Sequence, residues 1–498
     1  MQSLIVFLLS AFMLIPQPVS CVVTEDVHTL WADGKDIRVR LGGREFRNAV
    51  ADLPAFAQEE AYRLTVRSRY VRIEALTETG VFRARQTLRQ LALRDSTLQG
   101  CILFDYPRFH HRGLMIDESR SFKGKDFLFK QMDVMALLKL NVLHLHLDDS
   151  AGWRIQVDAY PDLTAKTAFR IGQSYFTWEA KGYPFSTEDD PEAYGGYYTK
   201  EDLREIVAYA AERHITVIPE VEMPGHSMEV NRAYPELACR TEDGKPRPFS
   251  WDLCPGKEET FKMLEAVLDE VMEVFPSPFI HIGGDEAVMK DWPVCVDCQR
   301  RMKEEGMTDV HELQGYLVRR IDAFVRSRGR RIIGWDEIVD TGLPADAAVQ
   351  SWRGISGGQK AVAAGHDVVM SPNTHLYLDY YQDLIRKEPP ACGHLQSLHH
   401  VYDYDPAEGF PEESLPHLLG LQGNLWCEYI PTTEHAEYML YPRAFAIAEI
   451  GWTPQGKREF NAFQGRAFFL AEYLRSIGYH PFDMTGESAL AQSGNLRY

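Results

Sequence analysis

The stretch FIHIGGDE, residues 279–286, is an apolar run that stops at two glycines and is followed by two adjacent carboxylates, Asp285 and Glu286. Short apolar runs bounded by such a turn signal are typical of the buried strands of a parallel sheet. In an α/β barrel the functional side chains follow the carboxyl ends of the strands, which is where this acidic pair stands. We therefore expect the chain to contain more strands of this kind, separated by helices.

Seven further apolar runs of similar length lie along the chain after residue 105. With the first, they are GLMID (113–117), NVLHLHLDD (141–149), ITVIPEVEM (215–223), FIHIGGDE (279–286), RIIGWDEI (331–338), AAVQSWRG (347–354), DVVMSP (367–372) and LLGLQGNLW (418–426). Amphipathic segments such as FKMLEAVLDEVMEVF (261–275) separate most of them, as crossover helices between parallel strands require. The pattern predicts an α/β fold in which residues 106–480 form a (β/α)8 TIM barrel, followed by a tail at 481–498.

The region before the barrel has a different pattern. AYRLTVRSRYVRIEAL (61–76) alternates as strands do, and TGVFRARQTLRQLAL (79–93) carries Phe82, Leu88 and Leu91 at helical spacing. Residues 22–105 are therefore predicted to form a small α+β domain.

Composition and charge restrict the class of partner. The chain of 498 residues is 45% hydrophobic and 25% charged, which suits a large globular protein of two domains. Its formal net charge of −19 disfavours nucleic acid or an anionic membrane surface as the main partner. A neutral or cationic substrate fits this charge better.

The N-terminus predicts export. Residues 4–15 are apolar, of signal-peptide length and too short to span a bilayer, so residues 1–21 are predicted to be a signal peptide. Ser20 and Cys21 resemble the end of a lipoprotein signal, so the mature protein would be periplasmic or lipid-anchored at a bacterial cell envelope. A buried N-terminal helix is the alternative. No later segment is predicted to cross a membrane, and a homodimer is an open alternative to a monomer.

Among the eight cysteines, Cys295 and Cys298 form an isolated C-x-x-C. A zinc site needs two more ligands at similar spacing, and none follows in the sequence. A local disulfide or two free thiols is therefore expected, and Cys239 and Cys254 could pair with each other in an exported protein. No metal and no cofactor are predicted.

Acidic and aromatic side chains follow many of the predicted strands. The acids at these positions are Asp117, Asp149, Glu222, Asp285, Glu286, Asp336 and Glu337. An isolated acid at a strand end is more often a helix cap, but this many at one end of a barrel would repel one another unless they bind something polar. Trp335, Trp352 and Trp426 add flat apolar surfaces, on which sugar rings can stack. The sequence predicts a saccharide site.

The order of the motifs resembles that of a known enzyme family. DYPRFHHRGLMIDESRSF, NVLHLHLDDSAGWRI, ITVIPEVEMPGHS, FIHIGGDEA, GWDEI, YLDYYQ and GNLWCEY are similar to the motifs of glycoside hydrolase family 20, the exo-β-N-acetylhexosaminidases. The resemblance covers residues 50–475 and implies a retaining, substrate-assisted removal of terminal β-linked GlcNAc or GalNAc. Two adjacent carboxylates fit such a mechanism better than a nucleophile and an acid on opposite sides of the bond, because neighbouring residues of a strand point to opposite faces.

The resemblance also implies roles for individual residues. Glu286 matches the general acid and Asp285 the residue that orients and polarises the 2-acetamido group. The remaining matches are substrate-binding residues and their supports: Arg112, Asp149, His226, Trp335, Trp352, Tyr377, Asp379, Trp426 and Glu428. Two positions depart from the family pattern, since Ser150 stands at an acidic position and Glu222 at one that is usually aspartate.

Three alternatives remain. A metal-dependent barrel hydrolase could use His144, His146, His226, His281 and Asp285. The separation of His281 from Asp285, about 13 Å along a strand, argues against a shared ion at the mouth. A catalytically silent sugar-binding protein is the second alternative. A family member that releases a disaccharide is the third.

Overall fold

The computed structural model describes residues 13–247, 250–384, 388–486, 488 and 491. It contains a small α+β domain and a closed barrel of eight parallel strands, which confirms the predicted architecture. Residues 1–12 of the predicted signal peptide and most of the tail after residue 486 lie outside the described residues. Within the described part, no helix is both long and apolar enough to cross a bilayer.

The small domain is a five-stranded sheet covered by one long helix. The strands in spatial order are Ser20–Thr29, Thr97–Asp105, Tyr62–Arg67, Tyr70–Ala75 and Ile37–Leu41. All neighbours are antiparallel except the last two, which are parallel. The covering helix is Glu78–Leu91, and two shorter helices are Arg44–Val50 and Ala55–Glu60.

The covering helix lies where the spacing predicts it, and of the three apolar residues at helical spacing only Phe82 is not in its contact with the sheet. Val81, Ala84 and Leu88 are buried against the sheet, whereas Phe82 is only half-buried. Gly80 permits the close approach, because a Cβ at this position would lie 2.6 Å from the carbonyl oxygen of Ala61. Phe82 instead packs against the ring of His214, with ring centroids 4.7 Å apart.

The domain begins before the predicted boundary at residue 22. Leu14 and Ile15 are buried in the two largest apolar cores, and the Ile15 N–H donates to Gln90 Oε1 at 2.8 Å. Val19 N–H donates to Asp105 Oδ1 at 3.0 Å. A signal peptide that ends at Cys21 would remove these core residues, so the structure favours a domain that starts by Leu14, and the position of cleavage stays a prediction.

The eight runs predicted as strands are the eight strands of the barrel. In barrel order they are His111–Asp117, Val142–His146, Thr216–Glu220, Phe279–His281, Arg331–Trp335, Ala348–Ser351, Val368–Met370 and Leu418–Leu425. The last strand pairs with the first through a register that joins Gln422 to Gly113, which closes the barrel.

Helices surround the barrel and occupy its longer loops. The longer ones are Lys125–Leu137, Lys200–Ala211, Glu258–Val274, Val296–Glu305, His311–Ser327, Ser356–Ala363, Thr433–Leu440, Arg443–Trp452 and Phe460–Ser476. Shorter helices are Asp162–Thr167, Tyr175–Ala180, Met228–Ala233 and Leu398–Asp403. Short strands outside the barrel include Asp148–Asp149, Gly152–Trp153, Phe169–Ile171, Phe185–Ser186, Ala193–Gly195, Tyr380–Tyr381 and Cys392–Leu395. The helix His311–Ser327 shows the general pattern, since its buried residues Leu313, Leu317, Ile321 and Val325 recur every four positions.

The barrel interior changes from apolar to polar along the strands. An apolar layer in the lower half contains Val142, Ile218, Ile333, Ala348 and Val369. Residues two positions further along a strand point to the same face. Two positions after Val142, Ile218, Ile333 and Ala348 stand His144, Glu220, Trp335 and Gln350, all of which are buried. This polar layer lies beneath the carboxyl ends of the strands and supports the side chains above it.

The C-x-x-C pair is not isolated in the folded chain. Cys239 and Cys254 lie beside Cys295 and Cys298, and the shortest sulfur-sulfur distance, between Cys254 and Cys298, is 3.5 Å. All four are free thiols, which agrees with the free-thiol alternative for Cys295 and Cys298, and the disulfides considered for the four residues are not formed. The interpretation of an isolated pair is wrong, because the loops after the third and fourth barrel strands are neighbours in space.

Candidate active site

The acidic pair lies beyond its strand. The fourth barrel strand ends at His281, and the chain then turns through Gly283 and Gly284, whose φ angles are +61° and +98°. The expectation that Asp285 and Glu286 occupy opposite faces of a strand is therefore wrong. The two glycines are required, because a Cβ at Gly283 would lie within 2 Å of the Glu222 carboxylate (1.9 Å) and one at Gly284 would lie 2.4 Å from Ile338 Cγ2.

Glu222 lies behind this turn and holds it. Its Oε1 accepts a hydrogen bond from the Gly284 N–H at 3.0 Å, while its own N–H donates to Asp148 at 3.1 Å. Burial raises the pKa of Glu222 well above its usual range, and the neighbouring charges of Asp285 and Glu220 add to the effect. These effects disfavour a charge on Glu222, and the glutamate at this position shapes the turn.

A pocket of about 200 Å³ opens above the turn. Its walls are Arg120, His226, Asp285, Glu286, Trp352, Tyr377, Asp379, Tyr380, Cys392, Trp426 and Glu428. Eight of the predicted site residues are among them. Arg112, Asp149 and Trp335 are not, whereas Arg120, Tyr380 and Cys392 line the pocket without having been predicted.

His226 contacts both carboxylates of the pair. Its Nε2 lies 3.6 Å from Asp285 Oδ2 and 3.5 Å from Glu286 Oε2, while its Nδ1 lies 3.2 Å from Asp149 Oδ2. Burial opposes a charge on the ring, but Asp149 and the acidic pair outweigh it and raise the pKa of His226 well above its usual range. A protonated imidazole thus bridges the pair.

The two carboxylates have different environments. Asp285 is buried, and burial raises its pKa although the charge of His226 opposes the shift. Its Oδ1 is buried and has no hydrogen-bond partner within the described residues. The Glu286 side chain is 59% exposed, and its contact with His226 lowers its pKa. Asp285 therefore offers an unused acceptor to the inside of the pocket, and Glu286 stands at the opening.

Asp149 links the acidic pair to the other end of the pocket. Its Oδ2 lies 2.6 Å from Arg120 Nη2, 3.2 Å from His146 Nε2 and 3.2 Å from His226 Nδ1. Burial opposes its charge, but Arg120 and the two histidines outweigh it and lower the pKa of Asp149. Asp149 is thus a positioning residue below the pocket wall.

Arg120, Asp379 and Glu428 form a polar end. The Arg120 guanidinium stacks over the Trp426 ring at 5.0 Å from its centroid and lies 3.8 Å from Glu428 Oε1. Burial raises the pKa of Asp379 well above its usual range, reinforced by Glu428, and Asp379 Oδ1 is buried without a partner among the described residues. Burial also raises the pKa of Glu428. This end offers one cation and two carboxyl groups to hydroxyls.

Aromatic rings form the remaining wall. Trp352 and Tyr377 lie nearly parallel, with ring centroids 6.1 Å apart and an interplanar angle of 17°, and the Trp426 ring lies 6.2 Å from that of Tyr377. Trp352 Nε1 donates to Glu337 Oε2 at 2.9 Å. Burial, together with the charge of Asp285, raises the pKa of Glu337 to about 8. Near neutral pH Glu337 is mostly protonated and fixes the indole without adding charge beside Asp285.

Comparison with known families agrees with this geometry. The model described as "Glycosyl hydrolase family 20, catalytic domain" matches residues 109–455, and "Glycosyl hydrolase family 20, domain 2" matches residues 14–106. The chain belongs to glycosyl hydrolase family 20. The second match begins at Leu14, where the structure also places the start of the small domain.

Relatives of this family 20 chain are known from several bacteria. It is 39% identical over 447 residues to a β-hexosaminidase of Porphyromonas gingivalis, covering 86% of this chain and 55% of that protein. It is 36% identical over 405 residues to one of Vibrio furnissii, covering 79% and 65%. The chain thus spans between about half and two thirds of the length of these relatives. An exo-β-N-acetylglucosaminidase of Vibrio harveyi, solved with N-acetylglucosamine, has the same fold, with a TM-score of 0.81 and 28% identity over 95% of this chain and 78% of that one.

The family 20 motif residue Arg112 lies outside the pocket. It is the second residue of the first barrel strand, is completely buried, and donates to Glu60 Oε2 of the small domain at 2.6 Å and to the Lys139 carbonyl oxygen at 3.0 Å. Its prediction as a substrate-binding residue is wrong, because it stands at the amino end of the strand. Arg120, three residues after Asp117 at the carboxyl end of that strand, provides the guanidinium of the pocket. Arg120 could have been predicted as the acids were, because it also follows the carboxyl end of a strand.

Trp335 and the barrel histidines form a layer below the pocket. Trp335 is completely buried, and its Nε1 donates to Glu220 Oε1 at 2.8 Å. Its ring lies 5.6 Å from that of Trp426, so it supports the wall and does not line it. His144 Nε2 and His281 Nδ1 lie 3.1 and 2.9 Å from the same Glu220 carboxylate. His144 thus contacts side chains of this layer, Glu220 on one ring nitrogen and Gln422 on the other.

Proposed function

We propose that this family 20 chain is an exo-acting β-N-acetylhexosaminidase with a retaining, substrate-assisted mechanism. The observation that carries the proposal is the unpartnered Oδ1 of Asp285, which is buried beside the pocket while Glu286 stands next to it at the opening. Oxygens of both carboxylates lie within 4.8 Å of each other and of His226 Nε2. Both carboxylates also contact the same imidazole nitrogen, which supports two groups that act side by side over a nucleophile and an acid on opposite sides of the bond.

Asp285 and Tyr377 would hold the acetamido group of the sugar. The free carboxylate oxygen of Asp285 accepts the amide N–H, and its negative charge stabilises the positive charge that develops on the nitrogen. Burial raises the pKa of Tyr377 well above its usual range, so the phenol keeps its proton and can donate to the amide carbonyl oxygen. Trp352 and Trp426 enclose the methyl group and the ring.

Glu286 would be the general acid and then the general base. As the acetamido oxygen bonds to the anomeric carbon, the glycosidic C–O bond breaks and the proton of Glu286 moves to the leaving oxygen. An oxazolinium ion remains. Water then adds to the anomeric carbon, its proton returns to Glu286, and the acetamide is restored. Both steps invert the anomeric centre, so the configuration is retained overall.

The exposure of the pocket favours removal of one terminal sugar. The Glu286 side chain is 59% exposed and that of Glu428, at the other end, is 28% exposed. The leaving group would therefore project past Glu286 into solvent, while the terminal hydroxyls reach Arg120, Asp379 and Glu428. Pockets for drug-sized ligands hold roughly 300–1,000 Å³, and about 200 Å³ here favours a single ring over a disaccharide.

Release of the aryl group from aryl β-N-acetylglucosaminides and β-N-acetylgalactosaminides tests the proposal and separates it from its rivals. Hydrolysis of either substrate excludes a silent sugar-binding protein. Cleavage of an aryl lacto-N-bioside, with no cleavage of either aryl monosaccharide substrate, would instead support a disaccharide-releasing enzyme. Activity that survives dialysis against EDTA at full rate would exclude a metal-bound nucleophile.

His226→Asn is expected to move the whole pH profile of kcat/KM to higher pH, by about one unit or more. Asp285 must be ionised, and the charge of His226 lowers its pKa, so removal of that charge shifts the acid limb upward. Glu286 must be protonated, and His226 also lowers its pKa, so the basic limb shifts upward as well. The profile is measured with an aryl N-acetylglucosaminide. A lower but unshifted profile would mean a purely structural role, and exposed His311→Asn serves as the control.

We also propose that the protein is exported, on the basis of the apolar residues 4–15. Because Leu14 and Ile15 are core residues, processing is expected before Leu14 and not at Cys21. Mass spectrometry of the mature chain from its native cell should find an N-terminus after Met1 and no later than Leu14. A chain that begins at Cys21, or one that retains Met1, would contradict this.

A further inference from the structure

A cluster of four cysteines joins two loops of the barrel. Cys239 and Cys254 belong to the segment after the third barrel strand, and Cys295 and Cys298 to the start of the helix Val296–Glu305, which follows the fourth. The sulfur of Cys298 lies 3.9 Å from that of Cys239 and 3.5 Å from that of Cys254, which in turn lies 3.7 Å from the sulfur of Cys295. All four sulfur atoms lie within 4.8 Å of one another.

These distances match a tetrahedron of thiolates around one ion. With zinc-sulfur bonds of about 2.3 Å, the edge between two sulfurs of a tetrahedral site is about 3.8 Å. The sulfur-sulfur distances of 3.5, 3.7 and 3.9 Å lie on both sides of this value. A disulfide requires about 2.05 Å, so none of these contacts is a covalent bond.

The surroundings keep the four thiols together and exclude solvent. All four residues are completely buried, and Trp292, Met302 and Leu313 pack around them. The Arg240 N–H points at Cys295 Sγ from 3.4 Å, a contact that favours a thiolate over a thiol. Gly256 lets the two loops close, because a Cβ there would lie 2.3 Å from the backbone nitrogen of Cys298.

We propose that Cys239, Cys254, Cys295 and Cys298 bind one zinc ion in a closed structural site. Binding replaces four thiol protons by one Zn²⁺ and leaves a site with a net charge of −2. Four protein ligands fill the tetrahedral shell, so no position is left for water or substrate. The site therefore acts on the fold and takes no part in the reaction.

The site stabilises the segment that carries the acidic pair. Asp252, two residues before Cys254, accepts hydrogen bonds from the N–H groups of Val288 and Met289 at 3.1 and 2.6 Å. Trp292 Nε1 donates to the Leu253 carbonyl oxygen at 3.1 Å. The residues that follow Glu286 are thus held by the loop of Cys254, and zinc would lock both loops together.

Elemental analysis of the purified full-length protein tests the assignment. We expect about one zinc per chain that survives dialysis without chelator, and alkylation in denaturant with chelator should map all four residues as free thiols. A disulfide between any two of them, iron in place of zinc, or no bound metal would overturn the proposal.

Cys298→Ser provides the matched test, with Cys101→Ser as its control. Cys101 is a buried cysteine of the small domain, so its variant should keep the zinc, whereas Cys298→Ser should lower the zinc content by about tenfold or more. If Cys298→Ser does not fold, titration of wild-type protein with a mercurial should release the zinc as four thiols react. Release without thiol modification, or equal zinc in both variants, would contradict a tetrathiolate site.

Discussion

Asp285→Asn is expected to lower kcat/KM for an N-acetylglucosaminide by roughly 10²- to 10³-fold, because a neutral amide stabilises the developing positive charge less well than a carboxylate. The asparagine can also present its NH₂ group to the amide N–H, which turns an acceptor into a repelling donor. The substitution preserves the size of the side chain, so the fold should be unchanged. Asp309→Asn, at an exposed position before the helix His311–Ser327, is the matched control.

The same mechanism predicts which substrates fail. A β-glucoside with the same leaving group lacks the 2-acetamido nucleophile, so its hydrolysis should be slower by about 10³-fold or more. The anomer released first from the N-acetylglucosaminide, followed by NMR, should be β. An α product, or similar rates on the glucoside, would rule out the substrate-assisted route while leaving the family assignment intact.

Glu286→Gln is expected to slow hydrolysis of substrates with poor leaving groups by roughly 10²- to 10⁴-fold, the range typical of general acid catalysis. Aryl glycosides with activated leaving groups need little protonation, so their first step should suffer less. The comparison requires one sugar leaving group and one nitrophenyl leaving group under the same conditions.

The control for Glu286→Gln is Glu305→Gln, an exposed acid at the end of the helix Val296–Glu305. Azide supplied to the Glu286→Gln enzyme should restore turnover of the nitrophenyl substrate, since an external nucleophile can replace the missing general base of the second step. Equal losses on both leaving groups, with no rescue, would mean that Glu286 is not the acid.

Arg112 and Trp335 lie outside the pocket for one physical reason. Arg112 and Arg120 lie on the same motif, and what separates them is the end of the strand on which each stands. Trp335 is the last residue of its strand, whereas Trp352 follows one. The Trp335 ring therefore points into the barrel interior, on the same face as Ile333, and its Nε1 donates to Glu220. Side-chain direction is set by the barrel and not by the motif.

The sequence by itself determined the eight strands, the helices between them, the small domain and the acidic pair, because each depends on local hydrophobic period and on turn residues such as Gly283 and Gly284. Only the tertiary structure decided which groups meet across the barrel. It brought His226 to Asp285 and Glu286, and it placed Arg120 beside Asp149. It also brought Cys239 and Cys254 to a pair of cysteines more than forty residues later, because the loops of adjacent parallel strands meet at one end of the barrel whatever their separation along the chain.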